Sequence, residues 1–382
     1  MNKDFPTTLH FQKGLSLIEL MLAITLSFLL ILGILTLFNG TKTTFNTNEA
    51  QSRTQENGRF ALEILKRELR ELHTHGMCAG RVTITDHVNT CPSMPNGADS
   101  PLIGWEFAGT AEGNAYTIPS DLDPALATAG SWTTADGTAF PPGLNNRLVP
   151  GSDIFVFRRF LPTGLVVNAT NQPNEISLSG LQIGQAGAPG DGSLMLVTNC
   201  STADVFRQNG TGGLDKSGSG FCGGVGGNWS TAYGLGAQVF EQQEIAYFVG
   251  LRTLANGDQV PGLYRFNLSL PVGANNPQEL VEGIENLQIR YGYSRDASQG
   301  GDGQSVRFDE DWLTADEVPN WRQVIAMRLS MSVRSAENPA GDGDRTALVL
   351  NLAGSNVTTP GDGRLRQPFS TTVALRNQMI VP

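Results

Sequence analysis

The chain has 382 residues, with 26 basic and 36 acidic side chains, so its formal net charge is −10. That balance argues against nucleic acid as the main partner, because phosphate binding needs a basic surface. The length suits one large or two modest domains, and 45 Gly with 20 Pro make the chain loop-rich without reaching a disordered composition.

Residues 20–38, LMLAITLSFLLILGILTLF, hold no charge and no Pro. At about 1.5 Å per residue this run spans roughly 28 Å, close to the hydrocarbon thickness of a bilayer. Ahead of it, Lys3 and Lys13 face Asp4, a slight bias toward a cytoplasmic start that Lys42 beyond the span offsets. A secretory signal places its small residues after the apolar run, whereas here Gly14 precedes it. Glu19 falls near the start of the apolar helix. A carboxylate in hydrocarbon is costly and calls for a partner and a role.

Residues 39–58 are polar, with Gly40 and Gly58 as weak points. Helical periodicity returns in 59–72, where Leu62, Leu65, Leu69 and Leu72 form a stripe widened by Phe60, Ala61 and Ile64. Glu63 and Arg67 stand in the favourable i, i+4 order. The pattern predicts a helix reaching about residue 75, amphipathic over 59–75 and softened near 39–58.

From residue 76 the pattern changes to short strand-type runs between Gly, Pro, Asn and Asp turns. The runs are GSDIFVFRRFL, GSLMLVTNC, EIAYFVGL, GLYRFNL, NLQIRYGYS and RQVIAMRLSMSVRS. In the last, Ile325, Met327, Leu329, Met331 and Val333 share one face, and Arg328, Ser330, Ser332 and Arg334 the other. QELVEGIEN reads as a short helix, and residues 97–150, 209–236 and 296–311 read as long Gly-rich surface loops. A helix followed mostly by strands is an α+β order, and no internal repeat is visible.

No constellation for catalysis emerges. The four His (His10, His73, His75, His87) lie in the first quarter of the chain. His73 and His75 beside Cys78 lack the paired spacing of a zinc site. The acidic stretch 296–311 departs from EF-hand spacing and reads as a hydrated turn, with calcium the alternative. The Gly cluster 221–229 lacks the G-K-[ST] of a phosphate loop. No metal and no cofactor are expected.

Lys13-Gly14-Leu15-Ser16-Leu17-Ile18-Glu19-Leu20 resembles the class III leader junction of type IV pilins and type II secretion pseudopilins. The resemblance implies prepilin-peptidase cleavage between Gly14 and Leu15, N-methylation of Leu15, and a pairing of Glu19 with the amine of a neighbouring subunit during assembly. A buried carboxylate and ammonium would neutralise each other there. Leu15 stands where most of that family has Phe.

Further along, several blocks occur in the order seen in the PilW minor-pilin family. They include Thr198-Asn199-Cys200, Tyr247-Phe248-Val249, Leu263-Tyr264-Arg265, the run Leu280 to Ile289, Trp321 leading to Arg328, Val333-Arg334-Ser335, and Phe369 with Val373 to Asn377. Asn199 departs from the Asp often found before the Cys.

By this resemblance the fold is α+β of the GspJ pseudopilin type, a long N-terminal pilin helix packed on a β-rich, mostly antiparallel head. Residues 1–14 would be the cleaved leader, 15–75 the spine helix with 15–38 in the inner membrane, and 76–382 the periplasmic head. The implied role is a minor pilin, not an enzyme. It would join other minor pilins, the major pilin and a tip adhesin to prime the pilus and form its tip, in support of twitching motility, adhesion or DNA uptake. The alternatives are a type II secretion minor pseudopilin and a membrane-anchored periplasmic enzyme or binding module.

An oxidising periplasm permits disulfides. Cys78, Cys91, Cys200 and Cys222 allow three connectivities, of which sequential pairing, Cys78 with Cys91 and Cys200 with Cys222, is favoured. Each such closure would stabilise the head by on the order of 3 kcal/mol.

Overall fold

A computed structural model of the chain describes residues 16–70, 83–86, 102–171, 175–179, 193–207, 214–215, 229–255, 257–270, 272–273, 275–293, 312–339 and 347–375. Leu17–Arg70 form one unbroken helix, α1. The softening expected near 39–58 does not interrupt it. Thr41, Thr44, Thr47 and Thr54 each donate their hydroxyl to the carbonyl four residues back, so these polar side chains are satisfied on the helix itself. Gly58 is a point of contact, not of weakness: the Phe369 ring lies where its Cβ would be. Glycine at this position lets α1 approach the sheet closely.

The strands are β1 (Thr83–Asp86), β2 (Leu102–Phe107), β3 (Ala115–Thr117), β4 (Trp132–Thr133), β5 (Ile154–Asn171), β6 (Glu175–Ser179), β7 (Leu194–Thr198), β8 (Thr202–Arg207) and β9 (Leu214–Asp215). They continue with β10 (Gln238–Thr253), β11 (Gln259–Asn267), β12 (Gln278–Glu282), β13 (Ile284–Tyr293), β14 (Trp312–Leu313), β15 (Val324–Arg334), β16 (Val349–Leu352), β17 (Ser355–Thr358) and β18 (Arg366–Ala374). Pairing is antiparallel except for β1 with β8 and β17 with β3. The fold is therefore α+β with a mostly antiparallel head.

The largest sheet, of eleven strands, is organised on the long pair β5 and β10. One half of that pair carries β2, β11 and β12, and the other half carries β6, β7 and β8. The two halves have separate cores. Phe155, Phe157 and Tyr247 stack in the first, at ring-centroid distances of 5.3 and 5.7 Å. Phe206, Trp229 and Tyr233 pack edge to face in the second. A second sheet runs β14-β13-β15-β18, and a third runs β16-β17-β3. The first core fills the space between α1, the four-stranded sheet and the β2–β11 half of the large sheet.

Three expectations are corrected. QELVEGIEN is not a helix but the strand β12, a turn at Gly283 and the start of β13. Gly283 has φ +85, and a Cβ there would stand 2.7 Å from the Arg334 carbonyl oxygen, so the segment turns tightly back along β15. Residues 102–150 are not a surface loop. They supply β2 to β4 and bury Trp105, Ile118, Leu122, Trp132, Leu144 and Leu148 in the main core. Their irregularly spaced aromatics link through rings, Trp132 lying 5.2 Å from Phe107 and 5.4 Å from Phe140. Trp229 and Tyr233, expected in the loop 209–236, are likewise buried. The loop 296–311 lies outside the described residues.

Gly283→Ala is expected to destabilise the head by about 2 kcal/mol or more, combining a left-handed residue with a backbone clash. Denaturant unfolding of the full chain in detergent measures it. Gly109→Ala is the control with the smaller loss, because Gly109 has φ +90 but open space around its Cβ position.

Candidate assembly site

Residues 16–46 have no buried side chain, although 20–38 are the most apolar part of the chain. The helix is long and apolar enough to cross a membrane. Both threonines of the apolar span are satisfied on the helix: Thr25 donates to the Met21 and Leu22 carbonyls and Thr36 to the Gly33 carbonyl. Such satisfaction suits a helix in hydrocarbon, where no water is available. Glu19 stands in the first turn of α1, exposed, at the N-terminal end where the helix dipole favours an anion. Gly14 and Leu15 lie outside the described residues.

Where α1 meets the head, Thr54, Gly58, Ala61, Leu62, Leu65, Glu68 and Leu69 are buried, a stripe at steps of three and four. Asn57 donates its amide to the Glu282 carbonyl at 3.2 Å. Glu68 places a carboxylate inside this seam, with the Arg159 guanidinium at 3.3 Å and the Arg265 guanidinium at 3.9 Å. Arg159 projects from β5 and Arg265 from β11, so one acid on the helix ties two strands of the large sheet. Burial, and then the Glu68 charge, push the Tyr247 phenol up. Sequence reasoning missed Glu68, Arg159 and Arg265. Their signal was a charge inside an apolar stripe.

The four-stranded sheet presents Leu287, Ile289, Met327, Leu329, Met331 and Val373 to this core. Its polar face, carrying Ser330, Ser332 and Arg334, is also largely buried. The chain before β5 and the β17 strand dock there by hydrogen bonds. Asn286 and Gln288 donate to the Gly151 carbonyl at 2.7 Å, and Arg290 donates to Ser355 Oγ at 2.8 Å and to the Thr110 carbonyl at 3.1 Å. Below them Glu285 is held by Arg366 at 2.7 Å and Arg334 at 3.4 Å.

Glu106 and Asp153 share Arg290, at 3.3 and 3.9 Å. One cation serves two buried acids, so one acid keeps its proton. Burial, then the Asp153 charge, push Glu106 up to about 10. Burial pushes Asp153 up only to about 6, because the Phe107 and Ile289 N–H groups and Arg290 favour its ionised form. At neutral pH Glu106 is the neutral partner and Asp153 the carboxylate.

Cys200 is disulfide-bonded, while Cys78, Cys91 and Cys222 lie outside the described residues. Cys200 has φ 66 in the β7–β8 turn, which Asn199 closes by accepting the Ser201 and Thr202 N–H groups at 3.0 and 2.9 Å. An Asp would accept the same two bonds. His10, His73, His75 and His87 also lie outside the described residues, among which no cluster of metal-ligating side chains occurs.

An acid whose folded pKa is raised binds its proton more tightly when folded, so its stabilisation is full below the unfolded value and is lost as pH rises toward the folded one. For Glu106 that window runs from 4.5 to about 10. The head is therefore expected to lose stability from pH 6 to pH 9, by at most about 1.4 kcal/mol per pH unit for this one proton. Glu106→Gln, which keeps the neutral hydrogen-bonding shape, is expected to flatten that slope in thermal unfolding curves.

Comparison with curated proteins and with solved structures returns no match. A protein-family model described as Type IV Pilus-assembly protein W matches residues 246–377. The matched segment begins within β10 and takes in the whole four-stranded sheet together with β12, β15 and β18, the strands on which α1 rests. The match supports involvement in type IV pilus assembly and a structural role, and over this segment the chain is similar to the PilW family.

Proposed function

We propose that the chain is a minor pilin that assembles with other minor pilins to prime the type IV pilus and form its tip, where it supports twitching motility, adhesion or DNA uptake. The observation that carries this reading is the coincidence of the PilW-matched segment with the sheet that seats α1, whose other half is an unburied apolar helix with Glu19 at its start. Residues 1–14 are the leader, cleaved between Gly14 and Leu15, and Leu15 is N-methylated. Residues 15–38 lie in the inner membrane before assembly and in the filament afterwards, with 76–382 as the periplasmic head. Glu19 takes the terminal amine of a neighbour and so sets register. Disulfides join Cys78 to Cys91 and Cys200 to Cys222. The partners are other minor pilins, the major pilin, a tip adhesin and the prepilin peptidase.

N-terminal sequencing of the mature protein is expected to begin at methylated Leu15, and an intact Met1 would sink the reading. Glu19→Ala is expected to leave the protein cleaved and stable but absent from sheared pili. Deletion is expected to abolish twitching and spare protein secretion. The reverse phenotype would identify a type II secretion pseudopilin.

A further inference from the structure

On the polar face of the four-stranded sheet, beneath the turn that joins β16 to β17, lies a cleft of about 340 Å³. Small-ligand sites run from about 300 to 1,000 Å³, so this open cleft has room for a single ring. Its floor is set by register. Arg290 on β13 stands directly opposite Arg328 on β15, and Ser330 on β15 opposite Ser370 on β18. All line the cleft.

Two like charges directly opposite on neighbouring strands are unfavourable. Arg290 is compensated by the Asp153 carboxylate at 3.9 Å, and its terminal nitrogens also reach Glu106, Thr110 and Ser355. Arg328 has no carboxylate at ion-pair distance among the described residues. Its guanidinium lies over the Trp312 ring, 4.2 Å from the centroid. Two buried N–H groups of residues that line the same cleft, Nε of Arg290 and Nε1 of Trp312, have no hydrogen-bond partner among the described residues. Arg290 is only 1% exposed. A buried donor without an acceptor costs on the order of 1–3 kcal/mol. An uncompensated cation beside unsatisfied donors is the arrangement that an anion completes.

The remaining lining narrows the anion. Ser330 and Ser370 hydrogen-bond one another at 2.8 Å and keep capacity for a further bond each. Asn351 supplies an amide from the hairpin above. Glu112, against the Gly354 backbone, puts a carboxylate on the same cleft. That acid would repel a simple anion but accepts protons from hydroxyls. A ligand bearing one carboxylate and several hydroxyls on a compact ring meets every one of these groups.

We propose that this cleft binds an acidic monosaccharide unit of the uronic acid class, its carboxylate on Arg328 and its hydroxyls on Ser330, Ser370, Asn351 and Glu112. The site is separate from the helix–head seam and does not depend on the assembly role.

The test is calorimetric titration of the detergent-solubilised full chain with glucuronate, glucose, acetate and an acidic peptide. Glucuronate is expected to bind saturably and at least tenfold more tightly than the other three. Arg328→Gln is expected to weaken glucuronate at least tenfold. Ser370→Ala, at an exposed edge position that leaves the core untouched, is expected to weaken it several-fold with an unchanged unfolding curve. No saturable binding, equal affinity for acetate or the peptide, or wild-type affinity in both variants would overturn the proposal.

Discussion

A helix of 54 residues is about 80 Å long, and this one meets two different surroundings along that length. Residues 20–38 are apolar on every side and bury nothing against the described part of the chain. The second half of the helix buries one stripe from Thr54 to Leu69 against strands. The seam at that stripe is the constraint on which the head depends. It needs close approach, supplied by Gly58 under Phe369, and it needs fixed register, supplied by Glu68 between Arg159 and Arg265. An apolar stripe alone could slide by a turn. A buried acid that faces cations from two different strands loses both contacts if the helix slides, although Arg67 on the helix itself, at 3.7 Å, would move with it.

The same logic recurs behind the four-stranded sheet. One face of that sheet is hydrophobic core, and the other is buried but polar. Gln288, Arg290, Ser330 and Arg334 occupy positions that would ordinarily meet water. Each charged or amide group on that face that lies deepest is paired with a carbonyl or an acid from a segment far away in sequence. Polar satisfaction therefore selects which loops can lie there, as Gly151, Thr110 and Ser355 do. The retained proton on Glu106 belongs to this balance, since two carboxylates around one guanidinium would leave a buried net charge.

Much of the architecture was legible in the residues. Periodicity located α1 and the seam at Ala61, Leu62, Leu65 and Leu69, although Phe60, expected in the stripe, is exposed and Leu72 lies outside the described residues. Alternation in RQVIAMRLSMSVRS placed the apolar face of β15 correctly. The misreadings have specific causes. QELVEGIEN has helix-favouring Glu and Leu, but the left-handed glycine and pairing with β11 and β15 override that propensity. Residues 102–150 are rich in Gly and Pro, and their core residues follow no period, because loops bury side chains by position in space and not by step along an element. The charged clusters were invisible for a related reason: Glu106, Asp153 and Arg290 are far apart in sequence, and each alone looks like a solvated turn or edge residue. Glu19, by contrast, stands out in the sequence because its anomaly is local, a charge at the start of a membrane-length apolar run.

The two long strands explain how one head accommodates a family-sized unit and much else. β5 and β10 each pass through both cores, yet only the second half of β10 falls in the PilW-matched segment. The far core, with Phe206, Trp229 and Tyr233, is fastened by polar contacts of its own: Tyr233 donates to the buried Asp204 at 2.6 Å and Ser230 Oγ donates to it at 2.8 Å. That lobe carries its own hydrophobic cluster, so its packing does not draw on the seam at α1. In the matched sheet, by contrast, β15 and β18 pack against the helix and β13 supplies Arg290 to the arginine-centred network.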